Sequence, residues 1–69
     1  MNKQFQGQLI DVNTVKRIIG YRSTQSVYNL MARSGLPRPV SIGDGRTKRW
    51  IEAEINNWVQ AQIESNRQA

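Results

Sequence analysis

The sequence contains no cysteine and no histidine. The chain can therefore have no disulfide, and the usual zinc ligands are missing. Histidine is also the most common general acid or base in enzymes, so its absence argues against catalysis. We expect a domain that uses no metal or other cofactor and is not an enzyme.

Long apolar runs and acidic residues are also scarce. No run approaches the roughly 20 apolar residues that cross a bilayer, and residues 1–9 lack the apolar stretch of a signal peptide. We therefore expect no membrane partner. Five acidic residues stand against ten basic ones, which gives a net charge of +5 in 69 residues. This excess is typical of nucleic-acid binding, although positive charge can also serve solubility alone.

The first half of the chain predicts two short helices. Asp11 is placed to cap the first helix and Gly20 to end it. Ser23 is placed to cap a second helix over residues 24–34, whose inner face centres on Val27. The outer face of this helix combines amide, phenol and guanidinium groups that can reach base edges and phosphates. A polar outer face is also the ordinary state of any exposed helix.

The second half predicts a β-hairpin and a third helix. Residues 37–39 form an extended Pro-Arg-Pro segment, and short strands at 40–42 and 47–51 flank a glycine turn. Trp50 is expected to point inward. The third helix begins near Glu52, where negative charge suits the positive end of the helix dipole. Its predicted apolar stripe consists of Ile55, Trp58, Val59 and Ile63.

This order of elements is that of a winged helix-turn-helix. The predicted fold is mainly α-helical with a small β-hairpin. We expect one domain over residues 9–64, preceded by a flexible segment at 1–8 and followed by a flexible tail at 65–69.

In a winged helix-turn-helix the second helix enters the major groove by its N-terminal end. We interpret Gln25 and Asn29 as base-reading residues, because a carboxamide can pair with both N6 and N7 of adenine. The start of a helix also suits a phosphate. Phosphate contacts are assigned to Ser23, Thr24, Tyr28 and Arg33.

Three cations follow the glycine turn, namely Arg46, Lys48 and Arg49. They repel one another, so a negatively charged partner would relieve them. We expect them to bind the DNA backbone or the adjacent minor groove. The alternative is a solvated basic loop.

The stretch from Leu9 to Trp58 carries a recognisable set of motifs. They are Leu9-Ile-Asp-Val-Asn-Thr-Val15, Gly20, the Ser/Thr-rich start before Val27-Tyr28, Leu36-Pro-Arg-Pro-Val40, the glycine turn, Trp50, and Glu54 ahead of Trp58. In these motifs the sequence resembles the AlpA-type phage regulators. That family is similar to small excisionases and to the DNA-binding head of MerR-type proteins.

The resemblance implies a transcriptional regulator of integrase genes in a prophage or genomic island. An alternative within the same resemblance is an excisionase, a recombination directionality factor that bends attachment-site DNA. The resemblance places Ser23, Gln25, Tyr28 and Asn29 on the recognition helix, and Arg46 and Lys48 on the wing. The sequence departs from the family pattern at Asn29, where arginine is common, and in a segment from Gly20 to Tyr28 that is one residue longer.

The expected partners are double-stranded DNA at a promoter or attachment site, further copies of the chain bound cooperatively, and an integrase. We expect no small-molecule substrate, and a location in the bacterial cytoplasm at the nucleoid. A competing hypothesis is a protein-interaction module in which Trp58, Val59 and Ile63 form an exposed docking stripe.

Overall fold

The computed structural model describes residues 7–67 and confirms the winged helix-turn-helix. The elements are β1 (Leu9–Ile10), α1 (Val12–Ile19), α2 (Thr24–Arg33), β2 (Val40–Ile42), β3 (Thr47–Ile51) and α3 (Glu52–Asn66). Most of the two predicted flexible ends, residues 1–6 and 68–69, lies outside the described residues. Within residues 7–67, no helix has the length and apolarity that crossing a bilayer requires.

Helix α1 begins and ends at the predicted residues. The side chain of Asp11 accepts hydrogen bonds from the backbone N–H and the hydroxyl of Thr14, each at 2.9 Å. These two hydrogen bonds stabilise the carboxylate and lower the pKa of Asp11. At the other end Gly20 takes a left-handed φ of 80°, and its N–H donates to the Lys16 carbonyl at 2.8 Å. A side chain would be strained in that conformation, which explains the glycine.

Helix α2 is capped in the same way by Ser23. The Ser23 hydroxyl oxygen accepts a hydrogen bond from the backbone N–H of Ser26 at 3.1 Å. Val27 and Met31 are buried on the inner face, and Leu30 is half-buried between them and solvent. The predicted inner face of α2 is therefore confirmed.

The sheet has strand order β1-β3-β2 and is antiparallel throughout. Strand β3 lies in the centre, with Ile10 of β1 opposite Trp50 and Ser41 of β2 opposite Lys48. The sequence predicted the β2–β3 hairpin but not β1. A two-residue strand is too short to show an alternating pattern, and its partner lies about forty residues away in the chain.

The core lies between the sheet and the helices. It consists of Ile10, Val15, Val27, Met31, Leu36, Trp50 and Ile55. Trp50 is only 1% exposed, and its Nε1–H donates to the Pro37 carbonyl at 3.0 Å. The prediction that Trp50 points inward is confirmed, and its one polar atom is satisfied.

Helix α3 packs chiefly on β3, and its apolar stripe is shorter than predicted. Ile55 is fully buried, Trp58 and Val59 are half-buried, and Ile63 is 40% exposed. The prediction that Ile63 belongs to the packed stripe is wrong, because eight residues rotate it about 80° away from Ile55 on a 3.6-residue period. The helix itself continues to Asn66, two residues beyond the predicted domain end.

Candidate nucleic-acid interface

The face of α2 that points away from the core carries the predicted contact residues. The six that belong to this helix and its cap are all exposed: Ser23, Thr24, Gln25, Tyr28, Asn29 and Arg33. With 100° per residue, Gln25 and Asn29 lie opposite the buried Val27 and form the outermost line of the helix. These two carboxamides are therefore the groups of α2 that would come closest to a base edge in a groove.

The two carboxamides are joined to each other. The Nε2–H of Gln25 donates to Oδ1 of Asn29 at 3.3 Å, across one turn of the helix. Residues four apart on a helix are neighbours, and such amide pairs form readily there. The hydrogen bond restricts how each side chain is oriented toward solvent.

Tyr28 and Arg33 flank this central line on opposite sides. The Tyr28 ring lies against Trp50 of β3, with centroids 6.4 Å apart and planes tilted by 60°. Tyr28 therefore marks the edge of α2 that faces the hairpin, while Arg33 lies on the far edge, close to Tyr21. Through this ring contact the Tyr28 edge of α2 lies next to the central strand of the sheet.

The start of α2 has the features of an anion-binding end. Its first N–H groups lack partners within the helix, as in every helix, and the positive end of the dipole lies there. Ser23 caps the N–H of Ser26, and the two hydroxyl oxygens lie 2.9 Å apart. The backbone N–H groups of Thr24 and Gln25 are therefore available to donate hydrogen bonds to an anion.

The hairpin does not bring its three cations together. Along β3 the side chains alternate, so Lys48 lies on the same face as the buried Trp50, and Arg49 lies on the opposite face. The Nζ of Lys48 donates to Oγ of Ser41 at 2.9 Å, the residue directly across the hairpin. Lys48 is thereby held on the side of the sheet where Trp50 contacts α2.

Arg46 and Arg49 have different surroundings. Arg46 is exposed in the turn, where its backbone N–H donates to Oδ1 of Asp44 at 3.0 Å. Arg49 is half-buried, and its Nη1 donates to the Lys48 carbonyl at 2.9 Å. Its positive charge also lowers the pKa of Asp11, after the larger effect of the hydrogen bonds from Thr14. Arg49 thus lies near Asp11, on the face of the sheet opposite Lys48.

Two functional partners were missed in the sequence analysis. Ser26 shares the cap of α2 with Ser23, and Ser41 holds Lys48. A signal was present for both, because Ser26 is three residues after Ser23 and Ser41 is the cross-strand position of Lys48 once the hairpin register is set.

The charges of the chain are separated. Between Val12 and Gly43, which includes α1 and α2, the sequence has no acidic residue. That stretch carries the cations Lys16, Arg17, Arg22, Arg33 and Arg38. All the glutamates, Glu52, Glu54 and Glu64, lie on α3. The stretch that includes α2 therefore carries only positive charges, which favours a polyanion as partner.

Comparison with known protein families gives a match over most of the chain. The family described as Prophage CP4-57 regulatory protein (AlpA) matches residues 8–63, which include every described strand and all but the last residues of α3. No curated protein and no solved structure shows a significant match to the chain. The family is one of DNA-binding regulatory proteins. The chain belongs to the AlpA family of prophage regulatory proteins.

Proposed function

We propose that the protein controls an integrase or excision gene of a prophage or genomic island by binding a specific duplex sequence with α2 in the major groove. The observation that carries the proposal is the outermost line of α2, where Gln25 and Asn29 stand exposed in a stretch of chain, residues 12–43, that has five cations and no acidic residue. An α-helix with its side chains is about 10–12 Å in diameter, which matches the major-groove width of about 12 Å.

In this proposal the remaining residues of α2 bind the sugar–phosphate backbone. Ser23 and Thr24, with the N–H groups that start the helix, bind one phosphate against the positive end of the dipole. Tyr28 on the hairpin side and Arg33 on the far side bind phosphates along the groove edges. Such contacts set the register of the helix on the duplex and carry affinity without sequence information.

The hairpin acts as the wing. Lys48, held by Ser41 on the same side of the sheet as the Trp50 contact with α2, binds a backbone phosphate next to the groove. Arg46 in the turn reaches the same strand or the adjacent minor groove. Arg49 on the other face contributes to binding through its charge, and it contributes less than Lys48. In 0.1 M salt the interaction between exposed charges is largely screened beyond a Debye length of about 10 Å.

We further propose that several copies bind side by side. A single module of this size buries only about 600–1,000 Å² on DNA, so neighbouring copies would be needed for high affinity. The same contacts would serve an excisionase that bends attachment-site DNA, and an integrase would then be its partner. The proposed location is the bacterial cytoplasm, at the nucleoid. A docking role for α3 has less support, because Trp58 is half-buried with its Nε1–H donating to the Ser34 carbonyl at 3.1 Å.

The test is selection of bound sequences from a random duplex library with the full chain, followed by footprinting of the selected motif near integrase genes. We expect a defined motif, and loss of that motif in the double variant Q25A/N29A. Q60A is a matched control, because Gln60 makes a similar exposed hydrogen bond on α3, to Oε2 of Glu64 at 3.1 Å. Equal recovery of all sequences by the wild-type chain would refute the proposal. A motif at attachment sites rather than promoters would identify the excisionase.

A further inference from the structure

The hydrogen bond between the two carboxamides of α2 has a consequence for which bases they read. We propose that Gln25 and Asn29 act as one unit that reads an adenine with Gln25 and a guanine on the neighbouring base pair with Asn29. The inference rests on the proposed function and deepens it. It differs from the simpler expectation that each amide pairs with adenine.

The assignment for Gln25 follows from the groups it has left. A carboxamide has two N–H donors and one acceptor oxygen. Gln25 donates one N–H to Oδ1 of Asn29, at 3.3 Å. It keeps the second N–H and the Oε1 acceptor. Adenine offers one acceptor, N7, and one donor, N6, on its major-groove edge, so the remaining groups of Gln25 match it.

The groups that Asn29 has left are mainly donors. Its Oδ1 accepts the hydrogen bond from Gln25 and is turned toward that residue along the helix. Its two Nδ2–H groups are then the ones free to face the groove. Guanine presents two acceptors, N7 and O6, on one edge, which match both Nδ2–H donors, whereas with adenine the N6–H would have to share Oδ1 with the hydrogen bond from Gln25. Thymine offers O4 alone and is the weaker match.

The pair should also be coupled energetically. Asn29 holds the Gln25 amide in the orientation that adenine requires, so removing the Asn29 side chain releases Gln25 to rotate. We therefore expect N29A to lower the preference for adenine as well as the preference for guanine. Independent readers would each lose only their own base.

The decisive variant is N29D. A carboxylate still accepts the hydrogen bond from Gln25, so the adenine preference should remain. The donors to guanine are gone, and a carboxylate instead accepts from N4 of cytosine. We expect the selected base at this position to change from guanine to cytosine. The added negative charge lowers overall affinity, so the readout is the ratio between duplexes that differ at one base pair.

The experiment measures these ratios with the full chain on the selected duplex and its single-base variants. Wild type should prefer adenine and guanine at the two neighbouring positions by about 5- to 150-fold each, the range for a good bidentate contact. Q25A and N29A should each lower both preferences, because either change releases the other amide to rotate, and N29D should lower only the guanine preference. Q60A should keep both. Circular dichroism of each variant tests that the helices are intact.

The outcomes separate the two proposals. A wild-type chain that selects no motif refutes the proposed function. A wild-type motif with adenine at the Asn29 position, or an N29D variant that still prefers guanine, overturns the coupled pair and leaves the function standing. Additive losses in Q25A, N29A and the double variant also overturn it, because residues that act as one unit are not additive.

Discussion

The opposite placement of Lys48 and Arg49 on β3 gives a quantitative prediction about salt. Lys48 is held by Ser41 on the face of the sheet where Trp50 contacts α2, and Arg49 lies on the other face near Asp11. Each phosphate neutralised by a cation contributes about 0.9 to the slope of log affinity against log salt. K48A should therefore flatten the slope by about 0.9, and R49A by less than half of that.

The same slope predicts the affinities directly. A fourfold rise in salt, from about 50 to about 200 mM, weakens binding by about 3.5-fold for each phosphate contact, because 4 raised to 0.9 is about 3.5. Over this range the affinity of the wild type should fall about 3.5-fold more than the affinity of K48A. The assay is fluorescence anisotropy with the selected duplex at four salt concentrations. Equal slopes for K48A and R49A, or a larger change for R49A, would refute the placement of the wing on DNA.

The remaining predictions concern the stability of the fold. I55A should lower the free energy of unfolding by about 2–5 kcal/mol in urea titrations, since Ile55 is fully buried, whereas I63A should change it by less than about 0.5 kcal/mol. Similar losses in both variants would contradict the packing of α3. G20A should cost about 1–2 kcal/mol, because φ at Gly20 is 80°; an unchanged melting temperature would argue against the left-handed end of α1. The lowered pKa of Asp11 means that its contribution to stability is present above the ordinary value of 3.8 and is lost as pH falls through the folded value. D11N should therefore show a smaller loss of stability than wild type when thermal unfolding is followed from pH 6 down to about pH 2, and identical pH profiles would refute this.

Much of the architecture could be predicted because local signals and burial agree. The caps of α1 and α2 are short-range hydrogen bonds between residues three apart, so the residues at Asp11 and Ser23 carry the information themselves. The hairpin is similarly local, with a glycine turn between two alternating segments. These elements needed no knowledge of distant contacts.

The errors came from features that depend on tertiary placement. Strand β1 exists because two residues pair with β3 far along the chain. Ile63 matches an apolar spacing but lies about 80° around α3 from the buried Ile55 and is exposed. The opposite faces of Lys48 and Arg49, by contrast, follow from the alternation within the predicted strand. The contact face of α2 was predictable in composition, while the hydrogen bond that joins Gln25 to Asn29 required coordinates.

The contact of Tyr28 with Trp50 bears on how a duplex would be accommodated. Trp50 is buried in the core, and its Nε1–H donates to the Pro37 carbonyl. The ring of Tyr28 packs on Trp50 and so connects α2 to the hairpin. If this contact fixes the hairpin relative to α2, the protein cannot follow a groove of variable width. Adjustment then falls to the DNA, and sequences that narrow or bend at low energetic cost beside the major-groove site gain affinity at base pairs that no side chain touches.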